Sequence, residues 1–312
     1  MAEFIVRRLH VSIIVVWGSL TLVFLILNVL PGDPAELILG QTATEEMIAK
    51  LHNSLGLGDS TWQQYVTYMS HIVHGNFGVS YVTKQPVLAH LIEQFPATLS
   101  LTVASVIIAI GLGLILGILS AVYPNRMMDY VIRFVTLFSI SMPTFWIGIL
   151  LILIFSVSLH WLPAIGNGSW QQLILPASCL GIACSGSLAR MVRNSMLEVI
   201  HEQYVTTLRS KGLTERNVIY RHVLRNALIP TITMVGILVG ELLSGSVVTE
   251  TVFSRQGVGK VVVDAIMQKD IPVVQAAIMF ASIFYVLVNL CVDITYTVID
   301  PRIRSGSKSA LR

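Results

Sequence analysis

The chain has 312 residues, 54% of them hydrophobic and only 12% charged, against about 25% charged in soluble domains. With a mean hydropathy of +0.76, this excludes an ordinary soluble protein. The net charge of +3 reads as membrane topology and argues poorly for a nucleic-acid partner.

A membrane-crossing helix needs ~20 mostly apolar residues to span ~30 Å of hydrocarbon. The first such stretch, Leu9 to Leu30, follows Arg7-Arg8 like the apolar core of a signal peptide. Its 22 residues exceed that core's usual length, and no small-x-small cleavage site follows. It reads as a retained first helix. Pro31-Gly32-Asp33-Pro34 stops it and opens a segment to Pro96. There Thr44 before Glu45-Glu46 reads as a helix cap. Trp62, Tyr65, Val66, Met69, Ile72 and Val73 recur at helical spacing and predict an amphipathic helix. The segment is expected to form a cap of short helices. His71 and His74 share a helical face, but without a third ligand they read as a solvated surface.

The second span is Ala97 to Val122. The third, Val131 to Leu159, is interrupted at Pro143, with Ser139, Ser141 and Thr144 nearby. Proline there predicts a kink, lining a pathway or serving packing. The fourth, Leu173 to Leu197, is weaker and rich in small residues. The fifth is Ile229 to Thr249, and Glu241 lies twelve residues after its start. A mid-membrane carboxylate costs at least ~2.5 kcal/mol on insertion scales. Gly236 and Gly240 form a small-xxx-small face beside it. Glu241 therefore either lines a pathway or makes an inter-helix hydrogen bond. Gly257-Val258-Gly259-Lys260 looks like the end of a phosphate loop, but Ser254 and Val261 stand where glycine and a hydroxyl residue are required. It reads as a turn into a short helix. In the sixth span, Val274 to Val298, Asn289 and Asp293 form an i, i+4 polar seam. Cys179, Cys184 and Cys291 lie within spans and suggest neither a disulfide framework nor a metal site. No catalytic constellation stands out, so the chain gives no sign of being an enzyme by itself.

Six spans predict an all-α polytopic membrane protein with both termini on one side. Of 20 Lys and Arg, five (Lys50, Lys84, Arg255, Lys260, Lys269) fall on the side opposite the termini and the remaining 15 on the same side. The excess places the termini in the cytoplasm. The same rule makes cytoplasmic a basic, polar island between the fourth and fifth spans. From Glu202, residues Tyr204, Val205, Leu208 and Lys211 fall at helical spacing, and Gly212 ends the helix. After a turn, Val218 to Leu228 predicts a second basic helix, and Pro230 marks entry into the fifth span. A short helix held on two arms suits transmission of motion from a soluble partner. A basic loop resting on anionic lipid would explain the charge, but not the Glu-start, Gly-stop, Pro-end layout.

The run from Glu202 through Gly212 to Pro230 resembles the EAA loop of ABC importer permeases, in the dipeptide/oligopeptide/nickel branch. So do Phe95-Pro96-Ala97-Thr98-Leu99, Ser141-Met142-Pro143-Thr144-Phe145-Trp146, Trp161-Leu162-Pro163, Thr249-Glu250-Thr251-Val252-Phe253 and Asp300-Pro301-Arg302-Ile303-Arg304. The resemblance covers essentially the whole chain. It implies a type I importer permease fold with six transmembrane helices and a cytoplasmic coupling helix. It divides the chain into residues 1–30, an extracytoplasmic cap at 31–96, and a permease core at 97–312 with its coupling loop at 199–229.

The implied setting is the bacterial cytoplasmic membrane. The implied partners are a second related permease subunit, two cytoplasmic ATPase subunits and an extracytoplasmic substrate-binding protein, with membrane lipid around them. ATP and magnesium would be bound by the ATPase partners, and no cofactor or metal by this chain. Glu202, Tyr204, Leu208, Arg209 and Gly212 match the docking motif; Glu241, Pro143, Asn289 and Asp293 are the pathway or seam candidates. Gln203 and Tyr204 replace the generic motif's alanines, and Arg255-Gln256 stands where many members have Trp-Pro, in a loop expected to face the binding protein. Di- or oligopeptides and nickel, free or chelated, are nearly level as cargo. The brief connection Leu159 to Gln172 resembles nickel-type and glutathione-type members. A secondary transporter would need its own coupling-ion site and usually paired repeats. A membrane scaffold would need neither Glu241 nor the kinked third span.

Overall fold

The structure, a computed structural model, describes residues 2–29, 39, 44–47, 50, 58 and 60–299. The Pro31–Pro34 motif and the ending from Asp300 lie outside the described residues. In chain order the helices are α1 (Ala2–Val29), α2 (Thr61–Val73), α3 (Val87–Val122), α4 (Met127–Ser141) and α5 (Thr144–Leu151), which runs on through a wider π-helical stretch, Ile152–Ser158. Then come α6 (Gln171–Ile200) and α7 (Gln203–Ser210). Next, α8 opens with Glu215–Asn217, passes through π turns at Val218–Val223 and continues over Leu224–Gly245. The last are α9 (Val247–Val252), α10 (Val258–Met267) and α11 (Ile271–Ile299). Among the described residues five helices are long and apolar enough to cross a membrane, and α4 with α5 makes a sixth span if the pair counts as one.

Several sequence boundaries move. The second span begins at Val87, ten residues before Ala97, because Pro96 is accommodated inside α3. Proline in a long apolar helix is tolerated where neighbours satisfy the freed backbone. The third span is broken, not merely kinked: α4 and α5 are bent by 106° around Met142-Pro143. Met142 is extended and Pro143 caps α5. The second island helix and the fifth span are one continuous run, with Pro230 inside α8. That run ends at Gly245, short of Thr249, and α9 follows.

The chain divides into two compact units, Met1–Thr98 with Gln256–Val286, and Leu99–Arg255 with Leu287–Arg312. In the first, Ser60 and Gln63 form a reciprocal capping box that starts α2. Tyr65, Tyr68, Met69 and Ile72 form its half-buried face, whereas Trp62, Val66 and Val73 of the expected apolar stripe are exposed. Phe24 of α1 packs against Tyr65 and Tyr68, and the Tyr65 hydroxyl meets Thr21 Oγ1 at 2.8 Å. The opening of α3 is held by Val87 and Leu91 packing on Val258, Val261, Val273 and Ala277. Val258 N–H donates to Thr98 Oγ1 at 2.9 Å.

In the second unit α6 is the central post. Gly113 and Gly117 let α3 approach it closely: a Cβ at Gly117 would stand 2.7 Å from the Ala189 carbonyl oxygen and from Val192 Cβ. Helices in lipid gain little hydrophobic energy from one another, so such close van der Waals packing carries their association. Gly186 of α6 approaches the Thr136 carbonyl of α4 in the same way.

Adding a methyl at Gly117 forces backbone or Val192 to shift, which costs about 1–3 kcal/mol. Gly117→Ala is expected to lower the melting temperature of the purified assembly. Gly111→Ala, with nothing within 4 Å of the new Cβ, is expected to leave it unchanged.

Candidate functional site

The predicted coupling helix forms as α7. Glu202 occupies its N-cap with extended backbone and an exposed side chain that makes no capping bond. Its carbonyl accepts from Val205 N–H at 3.0 Å. Eight residues are too few for an isolated helix to be stable in water, so tertiary packing must hold α7. Val205 is fully buried, and Tyr204 and Leu208 pack beside it against Val192 and Met196 of α6 and Val218 and Val223 of α8. Asn226 Nδ2 donates to the Tyr204 hydroxyl at 2.8 Å, tying α7 to α8. The helix ends at Gly212 with φ +80°. This left-handed conformation costs a residue with a Cβ about 1–2 kcal/mol. Gly212 N–H returns to the Arg209 carbonyl at 2.9 Å.

Arg209, matched to the docking motif, is engaged within the chain. Its Nε and Nη2 donate to Glu215 Oε2 and Oε1 at 3.1 and 2.6 Å, across the turn between α7 and α8. The fork holds the guanidinium pKa above its ordinary value. The pair is solvent-exposed, so it fixes turn geometry more than it stabilises the fold. Gln203, Thr206, Thr207 and Arg209 remain exposed on the opposite face of α7.

Beside this site lies a cluster that sequence reading missed. Asp129, in the first turn of α4, is 0% exposed. Arg193 of α6 grips it with Nε to Oδ1 at 3.0 Å and Nη2 to Oδ2 at 3.1 Å. Ser120 Oγ, Asn125 N–H and Arg133 Nη2 complete the shell. Two signals were available: an acid in the first turn of a helix, where the dipole favours it, and Arg133 one turn later. Arg193, 64 residues on, carried none.

The pathway candidates are not brought into one described cluster. Pro143 is exposed at the α4–α5 break, and Asn289 is half-buried in α11. The side chain of Asp293 lies outside the described residues. Glu241 is exposed on α8, only one turn before that helix ends at Gly245. Because α8 runs on from the island without a break, Glu241 lies toward the far end of that helix. Gly236 instead makes the close contact of this region, against Val292 of α11.

Arg255, in the loop expected to face the binding protein, is itself 4% exposed, and its Nη2 donates to Ser100 Oγ at 2.9 Å. Burial lowers its pKa, and the nearby Glu250 charge opposes that shift. Glu250 is fully buried and accepts from Ser246 Oγ at 2.8 Å. Among the described residues no group of three or more His, Cys, Asp or Glu forms a metal site. His74 Nδ1 lies 2.7 Å from the Ser70 carbonyl within its own helix.

A bundle of this kind with a short helix between its fourth and fifth spans is the fold of an ABC importer's membrane subunit. A chain of the MetNI methionine ABC transporter, solved in inward-facing conformations, matches it with a TM-score of 0.60 at 20% identity, over 69% of this chain and 98% of that one. The chain belongs to the family of binding-protein-dependent transport system inner membrane components, whose model matches residues 113–305, with the companion N-terminal model matching 1–102. It is 41% identical over 304 residues to the glutathione transport system permease protein GsiC of Escherichia coli (strain K12), covering 97% of this chain and 99% of that one. The Salmonella typhi protein of the same name is 42% identical over the same coverage. The chain is thus a multi-pass permease subunit of an ABC importer of the peptide/nickel type.

Breaking a buried ion pair by removing one partner costs about 3–5 kcal/mol. Asp129→Ala is expected at the lower end of that range because Arg193 is partly exposed, read as a lower melting temperature of the complex. Arg193→Lys keeps the charge but loses the two-point grip, and is expected to lose less.

Proposed function

We propose that this subunit carries small peptides of the glutathione class through the bacterial inner membrane, driven by ATPase subunits that dock on α7. The observation that carries the cargo reading is the near full-length likeness to glutathione permeases. The brief Leu159–Gln172 connection supports it. Two hydrogen bonds, from Gly168 N–H and Ser169 N–H to Gln172 Oε1, tie part of that connection to the start of α6.

In this reading both termini and α7 are cytoplasmic, as the distribution of basic residues favours. The exposed face of α7 meets an ATPase, and its buried face passes the displacement to α6 and α8 through Val205. ATP and magnesium are held by the ATPases. The exposed face of α8 that carries Glu241 meets the second permease subunit or the cargo, since lipid is a poor partner for a carboxylate. There Glu241 attracts the amino group of a peptide at the extracytoplasmic end of the route. A binding protein delivers cargo to that end.

Two measurements test this. The partner binding protein, titrated with glutathione, a dipeptide set, and nickel with and without chelators, is expected to bind glutathione or dipeptides; binding of nickel alone would replace the cargo reading. In reconstituted importer, Gly212→Val places a branched side chain at φ +80° and is expected to cut uptake about tenfold while ATP hydrolysis persists. Normal uptake by both Gly212→Val and Glu202→Ala would remove α7 from coupling. Glu241→Gln is expected to lower uptake without changing basal ATP hydrolysis.

A further inference from the structure

In the first unit a hollow of about 430 Å3 opens between α2, the turn at residues 76–84 and the first turns of α11. Its size suits a dipeptide-sized ligand. Ile72, Phe77, Ala276 and Met279 supply apolar wall, and Tyr68, Lys84 and Gln275 supply the polar side. The Tyr68 hydroxyl is buried and has no hydrogen-bond partner among the described residues. A buried polar group left unpaired costs free energy, and each such case calls for a reason. Burial raises its pKa to about 12, so it remains a neutral donor at physiological pH.

The charge of the hollow has one sign. Lys84 and His71 line it, and no Asp or Glu is among the described lining residues. The acid behind it, Asp270, is 3% exposed and fully committed. It accepts from Ser80 Oγ at 2.5 Å and from Tyr81 N–H at 3.0 Å. That anchor, with Lys84 N–H donating to the Ser80 carbonyl at 3.1 Å, holds the turn and therefore the Lys84 backbone in place. Asn76 is likewise used, its Oδ1 accepting from Gly78 N–H at 3.1 Å. What remains unspent is a buried hydroxyl donor and an exposed ammonium at the edge of an apolar hollow.

We propose that this hollow binds a small amphipathic carboxylate, namely the C-terminal residue of a peptide cargo, with Lys84 neutralising the carboxylate, the apolar wall covering its side chain, and the Tyr68 ring turning as the ligand enters to bring its unpaired hydroxyl to the carboxylate. The assignment rests on the peptide reading of the cargo. It adds a cargo-binding site on the permease itself, separate from the α8 face that carries Glu241.

The test uses the assembled importer in nanodiscs, without its binding protein, titrated calorimetrically with glycyl-phenylalanine and with glycyl-phenylalaninamide. Saturable binding of the acid, and weaker binding of the amide, is expected. Tyr68→Phe and Lys84→Met should each weaken the acid about tenfold, the usual worth of a hydrogen bond to a charged group. Lys84→Met should leave the amide unchanged. Tyr68→Phe keeps the ring that packs on Phe24, Lys84→Met keeps the length of the side chain, and melting temperature monitors the fold. Equal binding of acid and amide would make the hollow a purely apolar site and overturn the proposal, as would undiminished acid binding in both variants or no saturable binding. Titrating the isolated binding protein with the same dipeptide separates the two readings. If it binds while the importer alone does not, this site falls and the cargo reading stands. If it binds no peptide, the cargo reading falls whatever the importer does.

Discussion

A carboxylate without solvent organises the second unit. Asp129 is buried completely, and a lone buried charge costs several kcal/mol unless it is paired and hydrogen-bonded. The chain meets that requirement from three elements at once: Ser120 near the end of α3, Asn125 in the turn, and Arg193 on α6. Satisfying one anion therefore fixes the α3–α4 turn against the post that leads to α7. One turn beyond Arg193, Met196 joins Val192 in covering Val205. The base of the bundle and α7 share one packed region.

That continuity gives the proposed mechanism its physical content. A helix of eight residues has no stability of its own, so the position of α7 is set by the groove into which Val205, Tyr204 and Leu208 fit. Closely packed interiors transmit displacement instead of absorbing it. The Arg209–Glu215 fork and the Tyr204–Asn226 bond join α7 to α8 on one side, and the Glu202 turn joins it to α6 on the other. A push on the exposed face of α7 thus reaches two long helices together. The first unit is built differently, around the aliphatic core of Val87, Val261 and Ala277 and the anchor at Asp270. Its buried hydroxyl at Tyr68 marks it as more than a spacer.

Much of this was legible from the residues. The amphipathic helix at 61–73, the helix after Gly257 and the Glu202-to-Gly212 layout follow from local periodicity and punctuation, and each formed, as did five of the six apolar stretches; the third formed as the broken pair α4 and α5. What failed depended on partners distant in sequence. Pro143 announces a kink, but the 106° break depends on how α5 packs beside Phe253 and Cys179, which no local window contains. Pro96 and Pro230 looked like boundaries because proline ends exposed helices; inside a bundle both are absorbed. Arg193 looked like one more topology-setting arginine until Asp129 met it. Arg255 looked like loop surface until burial placed it beside Glu250. The Glu202–Gly212 helix was readable because its geometry is local, whereas the surroundings of Pro143, Glu241 and Asn289 were not, because they come from several helices.

In the proposed function the exposed face of α7 is cytoplasmic and rests on an ATPase subunit. A photo-crosslinking amino acid at Thr206, which is exposed on that face, tests it in the assembled importer within native membranes. The account predicts a cross-link to an ATPase subunit whose yield changes when ATP is bound. A cross-link to the binding protein, or labelling of the same position by a membrane-impermeant reagent added from outside the inner membrane, would contradict it.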